Sequence, residues 1–213
     1  MLAIRSTLTL KPDGLRIKVR RRPGKDMMVG LAGGMTTQGS KAVNGVKPTA
    51  GGRKSKMTIA YGSNAGTCKA FAEDLQTQAP EFGFEAAVTT LDQVTENIPK
   101  DIPFIVITSS YEGKPPDNAK KFVAWLEADI SGSTLDGVHY ALFGVGNSEW
   151  VSTYHKVPKV VEGLLCKQGA KQIYASAFAD VKRDCTGDWE DWAAGLWREL
   201  PLCYYSVTGT DLY

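Results

Sequence analysis

The chain predicts an α/β domain of three layers, with a doubly wound parallel sheet covered by helices on both faces. Two observations carry that expectation. Short, continuous apolar runs at 57–61, 103–110 and 138–144 alternate with amphipathic helical stretches. Such runs are apolar on both faces, as strands in the middle of a parallel sheet must be. Each run also ends in a loop of glycine, hydroxyl, amide or aromatic residues. In an open parallel sheet ligands bind outside the carboxyl ends of the strands, so those loops are where the chemistry belongs.

Taken in order, residues 6–20 alternate apolar and polar on both sides of Pro12-Asp13-Gly14, the pattern of a β-hairpin. Residues 23–56 scatter glycines (Gly30, Gly33, Gly34, Gly39) among serines, threonines and lysines, which reads as a flexible linker because little apolar surface is there to bury. The run 57–61 passes into a small polar loop and then a helix with Phe71 and Leu75 four apart. The run 103–110 ends in Tyr111-Glu112-Gly113-Lys114-Pro115-Pro116-Asp117-Asn118, a turn-rich loop. A helix over 118–128 places Phe122, Val123 and Leu126 on one face. The run 138–144 is followed by Val145-Gly146-Asn147-Ser148-Glu149-Trp150. Helices over 156–167 (Val157, Val160, Val161, Leu164, Leu165) and 188–200 (Trp189, Trp192, Leu196, Leu200) complete the domain, with the tryptophans as packing residues.

The first loop, Tyr61-Gly62-Ser63-Asn64-Ala65-Gly66-Thr67, joins a strand to a helix start. That order aims backbone N–H groups and the positive end of a helix dipole at one point, which suits a phosphate. Ser63, Asn64 and Thr67 add side-chain donors. No lysine follows Gly66 as a nucleoside-triphosphate loop requires, and Gly62 and Gly66 do not have dinucleotide spacing. A monophosphate held by neutral donors fits best. Tyr111 and Trp150, at the ends of the next two runs, make a sandwich for a flat tricyclic ring.

These three stretches, Tyr-Gly-Ser-Asn-Ala-Gly-Thr, Ser-Ser-Tyr-Glu-Gly-Lys-Pro-Pro-Asp-Asn-Ala and Phe-Gly-Val-Gly-Asn-Ser-Glu-Trp-Val-Ser-Thr-Tyr, resemble the FMN-binding, flavodoxin-like domain of diflavin reductases. The resemblance is closest to self-sufficient fatty-acid hydroxylases of fungi and bacilli, which fuse a haem-thiolate monooxygenase to its own NADPH reductase. It implies a flavodoxin-like five-stranded sheet in the order 2-1-3-4-5 and FMN as the cofactor. Ser63, Asn64, Ala65, Gly66 and Thr67 would wrap the 5′-phosphate, and Tyr111 and Trp150 would lie against the ring. The Glu112-Gly113 peptide would sit near flavin N5, with Ser110, Gly144, Gly146, Asn147, Tyr154 and Asp180 completing the site. The short Tyr-Glu-Gly-Lys-Pro loop goes, by resemblance, with weak stabilisation of the one-electron-reduced neutral flavin. Glu112 departs there from the asparagine of the bacillar member. Residues 1–22 resemble the closing hairpin of the haem domain, which makes 23–56 the linker, 57–202 the flavin domain and 203–213 a tail.

The implied function is to shuttle electrons from an FAD/NADPH reductase domain to a haem-thiolate monooxygenase, with no NADPH turnover by this chain alone and no catalytic side chain. A free-standing flavodoxin, a flavin-dependent quinone reductase and a flavodoxin-like binding module without flavin are the alternatives. Charge is divided: residues 1–56 hold 13 Lys/Arg against 2 Asp/Glu, and residues 57–202 hold 12 against 20, a net −8. The acidic domain suits steering to a basic partner, and the basic arm reads as solvated charge and not as a nucleic-acid surface. Cys68, Cys166, Cys185 and Cys203 have no metal spacing, and reduced thiols suit a cytoplasmic protein. No stretch has the length of a membrane span.

Overall fold

In the computed structural model the backbone is described for residues 4–5, 11–12, 54–128 and 134–208, and side chains for 54–128 and 134–201. The chain divides into two compact units, Met1–Asn44 and Gly45–Tyr213. In the first, β1 (Ile4–Arg5) pairs antiparallel with β2 (Lys11–Pro12), Ile4 opposite Pro12. That pairing ends at Pro12, the first residue of Pro12-Asp13-Gly14. The hairpin expected across that tripeptide needs residues 13–20, and the expected linker falls mostly on 23–53; both lie outside the described residues.

The second unit is a parallel sheet with helices on both faces. Its strands are β3 (Ser55–Gly62), β4 (Phe84–Thr90), β5 (Pro103–Ser109), β6 (His139–Gly146), β7 (Lys171–Gln172) and β8 (Ala177–Asp180), and its helices are α1 (Thr67–Gln78), α2 (Lys120–Ala128), α3 (Lys156–Lys167) and α4 (Cys185–Thr208). The path across the sheet is β4-β3-β5-β6-β7, and β8 also pairs with β6. All of these pairs are parallel. The fold is therefore the doubly wound order 2-1-3-4-5, with the fifth strand broken into β7 and β8.

Alternation along the strands separates two cores. Ile59, Ile105, Ile107 and Phe143 face α1 and α4 and pack against Leu75, Trp189, Trp192 and Leu196. Ala60, Phe104, Val106 and Leu142 face α2 and α3 and meet Phe122, Leu126, Val161 and Leu165. The tryptophans of α4 are packing residues, as their spacing predicts. The ring of Phe71 stacks on Trp189 with centroids 4.7 Å apart, and Phe82 stacks on Trp197 at the same separation. Helix α4 starts at Cys185, before the expected residue 188, because the Asp184 carboxylate accepts the Gly187 N–H at 3.0 Å and caps it. It also continues past Leu200 to Thr208.

Candidate functional site

Parallel pairing brings the carboxyl ends of β3, β5, β6 and β8 to one edge, and the loops that leave them surround a cavity of about 250 Å³. Its lining draws on all of these loops: Ser63, Asn64, Ala65 and Thr67, then Ser109–Glu112, then Val145–Asn147 with Trp150, and Val181. A wider hollow of about 760 Å³ continues past Ser63, Asn64, Ala65, Tyr111 and Glu112 to Lys114, Asp117, Asn118 and Lys120. The two together are the size of an ordinary small-molecule site.

The β3–α1 loop forms the polar end. Gly66 stands at the helix N-cap with φ 88, a left-handed conformation that glycine adopts without penalty, and no side chain caps the helix. The Gly66 N–H donates to Ser63 Oγ at 3.0 Å and the Ser63 N–H to Asn118 Oδ1 at 2.9 Å. The N–H groups of Asn64, Ala65 and Thr67 meet no acceptor among the described residues, so they and the helix dipole remain for an anion. Beneath the loop Gly62 is required: a Cβ there would sit 2.7 Å from Thr108 Oγ1 and 2.9 Å from the Ala119 Cβ. The Cys68 thiol is buried under the same loop. Burial pushes its pKa up to about 12, so it stays protonated and is no nucleophile.

The aromatic end is built from two exposed rings, whereas the other large apolar side chains among the described residues are mostly covered. Tyr111 is 58% exposed and Trp150 54% exposed, and both line the cavity. Tyr111 opens a tight turn closed by Tyr111 N–H to the Lys114 carbonyl at 3.1 Å and Lys114 N–H to the Tyr111 carbonyl at 2.8 Å. Glu112 (φ 51) and Gly113 (φ 77) are both left-handed, as the centre of a mirror-image type I turn requires. A side chain other than glycine costs about 1–2 kcal/mol in that conformation, so Glu112 is a strained element at the mouth of the cavity.

The Trp150 loop is braced from behind. Asp180 Oδ1 accepts the N–H of Ser148 at 3.2 Å and of Lys182 at 3.0 Å, and Lys182 Nζ pairs with Glu149 at 2.8 Å. The Ser148 hydrogen bonds hold the Asp180 carboxyl below its ordinary range. The Ser110 hydroxyl donates to the Thr153 carbonyl at 3.1 Å, which ties the Tyr111 loop to the Trp150 loop. His155, left-handed at φ 54 and buried, starts α3 and bonds the Ala179 carbonyl through Nε2 at 2.8 Å.

Ten of the fifteen residues that the sequence points to line the cavity: Ser63, Asn64, Ala65, Thr67, Ser110, Tyr111, Glu112, Gly146, Asn147 and Trp150. The other five lie around it. Gly66 and Gly113 shape the turns that bound it, and a Cβ at Gly113 would meet Thr153. Gly144 is a packing glycine, since a Cβ there would lie 2.7 Å from Phe178 and Pro158. Tyr154 packs against His155, ring centroids 3.8 Å apart and planes tilted by 30°, and Asp180 braces the loop. Sequence reasoning missed Ser109, Val145 and Val181 in the lining and Asn118, Asp117 and His155 behind it.

A doubly wound parallel sheet with a phosphate-type loop and two exposed rings at its carboxyl edge defines a flavodoxin-like nucleotide-binding protein. The flavodoxin family model matches residues 59–194, and the chain belongs to that family. Among solved structures, a mutant flavodoxin from Pseudomonas aeruginosa aligns with a TM-score of 0.57 and 24% identity over 68% of this chain and 99% of its own. The oxidised flavodoxin 1 of Bacillus cereus aligns with a TM-score of 0.57 and 18% identity over 69% and 98%. Among curated proteins, a bifunctional cytochrome P450/NADPH–P450 reductase of Fusarium oxysporum is 40% identical over 95% of this chain and 20% of its own length. A protein of the same description from Aspergillus oryzae is 37% identical over 97% and 20%. The chain thus spans about a fifth of these relatives. The cofactor that the family implies is FMN, and the residues fit it: an uncapped helix start with free N–H groups for a monophosphate, and two exposed rings for a flat heterocycle. Among the described residues no helix is long and apolar enough to cross a membrane, and no group of His, Cys, Asp and Glu could hold a metal ion.

Proposed function

We propose that this chain is an FMN-binding electron-transfer module, which receives electrons from an FAD/NADPH reductase domain and delivers them to a haem-thiolate monooxygenase. The observation that carries the reading is the placement of exposed Tyr111 and Trp150 on one cavity with the uncapped start of α1. The relatives' names, which join a cytochrome P450 to an NADPH–P450 reductase, support the choice of partners. The domain organisation proposed is a hairpin resembling the end of a haem domain at 1–22, a linker from 23 to the start of β3 at Ser55, the flavin domain from β3 through α4, and a short tail after Thr208.

FMN, when bound, supplies the redox chemistry, in one- and two-electron steps. The protein's residues hold and orient it. The N–H groups of Asn64, Ala65 and Thr67 take the phosphate oxygens, with the Thr67 hydroxyl and the Asn64 amide adding donors. Tyr111 and Trp150 cover the ring and exclude water from its faces. Glu112 and Gly113 would offer their shared peptide to the flavin, and Asn147 would contribute from the β6 loop, since Glu112 and Asn147 line the cavity. No side chain at the site is arranged as a nucleophile or general base. Acid release of the flavin from purified protein followed by chromatography tests the reading. One FMN per chain is expected, whereas FAD or a colourless protein that binds no added FMN would defeat it.

A further inference from the structure

We infer that Asn118 and Asn64 are positioning residues that couple the phosphate end of the site to its aromatic end; this rests on the FMN reading above. The two side chains make a reciprocal latch. Asn118 Oδ1 accepts the Ser63 N–H at 2.9 Å, and Asn64 Oδ1 accepts the Asp117 N–H at 2.8 Å, across 55 and 53 residues of chain. Each asparagine thus sits on one loop and holds the backbone of the other. Asn118 stands on firm ground, because its own carbonyl accepts the Asp92 N–H at 3.0 Å and the Asp92 carboxylate accepts the Phe122 N–H at 3.1 Å.

The latch fixes two things at once. On the phosphate side it consumes the Ser63 N–H and so sets which backbone donors of the loop remain for an anion. On the aromatic side it pins the end of the segment that begins with Ser110 and holds Tyr111, Glu112 and Gly113. Both loops line the same cavity. A ligand group that orders one loop therefore pays part of the ordering cost of the other, and the second group binds tighter without touching the first. Such coupling is reciprocal by linkage.

The experiment separates the two halves of the ligand. Riboflavin offers the ring and inorganic phosphate the anion, and riboflavin affinity of flavin-free protein is measured by fluorescence quenching with and without saturating phosphate. Saturating phosphate should tighten riboflavin about tenfold, a common size for site-to-site coupling. Asn118→Leu removes the acceptor for Ser63. Asp117→Pro removes the other N–H, together with the solvent-exposed ion pair of Asp117 with Lys120 (2.6 Å); the Ala119 N–H to Pro116 carbonyl bond (2.9 Å) puts residue 117 where a turn accepts proline. In both variants the tightening should fall below about twofold, and Asp117→Pro serves if Asn118→Leu does not fold. A merely structural role would weaken riboflavin with and without phosphate alike. Tightening that persists in a folded variant, or its absence in the unaltered protein, overturns the inference. Unaltered protein that binds neither riboflavin nor FMN overturns the flavin reading beneath it.

Discussion

His155 holds the Ala179 carbonyl through Nε2 at 2.8 Å, and its ring fills the space above Gly146, where a Cβ would run into His155 Cδ2. A carbonyl can only accept, so Nε2 carries the proton and Nδ1 is free of one in the neutral ring. Burial lowers the His155 pKa from its ordinary 6.5; Lys159 acts in the same direction, and Asp180 opposes it. Tyr154, the ring packed against it, is held protonated by burial and by the Asp180 charge.

A depressed histidine pKa means that the unfolded chain takes up the proton first as pH falls. Stability is therefore full above the ordinary value of 6.5 and declines as pH drops through it toward the lower folded value. Melting temperatures from about pH 8 to about pH 5 should fall in the unaltered protein and fall less in His155→Gln, which keeps a donor but does not titrate. Equal slopes would show that His155 is not the group responsible. Because His155 bonds Ala179, next to Asp180, and packs against Gly146 of the cavity lining, FMN affinity should weaken over the same window.

The elements that announced themselves in the sequence share one physical property, burial on a regular period. The strands β5 and β6 are continuous apolar runs with almost every residue buried, β3 buries Met57, Ile59 and Ala60 of its run, and the helix expected over 156–167 forms with those bounds and buries Val157, Val161 and Leu165 of its stripe. β4 has no such run, because it is the sheet edge and only Phe84 in it is fully buried. β7 and β8 are short and interrupted, which hid the fifth strand. At the site, residue type and strand position were enough to find the loops and both rings. The latch was invisible, since Asn118 meets Ser63 across 55 residues with no local spacing to betray it. The left-handed Glu112 and His155 were equally hidden, as neither residue type signals that conformation.

Asp74 is expected to be a stability residue with no part in flavin binding. Its Oδ2 accepts the Trp189 indole N–H at 2.8 Å and the Gln78 amide at 2.8 Å, while Gln78 Oε1 accepts the Trp197 indole at 2.9 Å. One carboxylate thus organises the contact of α1 with the tryptophans of α4. Asp74→Ala leaves a part-buried indole N–H unpaired and should cost about 1–3 kcal/mol. Urea unfolding measures the loss. An unchanged midpoint, or a loss of FMN affinity larger than the loss of stability explains, would contradict this assignment.

Tyr111 and Trp150 should behave in the opposite way. Both rings are more than half exposed, so truncation to alanine should leave stability within about 0.5 kcal/mol. Each truncation should weaken FMN by about 1 kcal/mol or more, the scale of an aromatic contact beyond its area, which is roughly a fivefold rise in Kd. Fluorescence titration of the flavin-free variants decides the matter. Unchanged affinity in both would remove these rings from the site.

The last prediction concerns electron flow and salt. Residues 57–202 carry 12 Lys/Arg against 20 Asp/Glu, and the two rings of the site are more than half exposed. Transfer to a separate haem-thiolate protein should therefore be steered by charge if the acceptor presents a basic patch. Raising ionic strength shortens the Debye length to roughly 3 Å at 1 M salt, and the bimolecular rate should drop as the fields are screened. The flavodoxin family model matches residues 59–194, and the cavity described offers one phosphate-type loop, so NADPH alone should not reduce the bound FMN quickly. Stopped-flow mixing separates the parts of the argument. Fast reduction by NADPH without an added FAD/NADPH reductase domain would refute the shuttle reading, whereas a salt-independent second-order rate to the haem protein would refute only the steering.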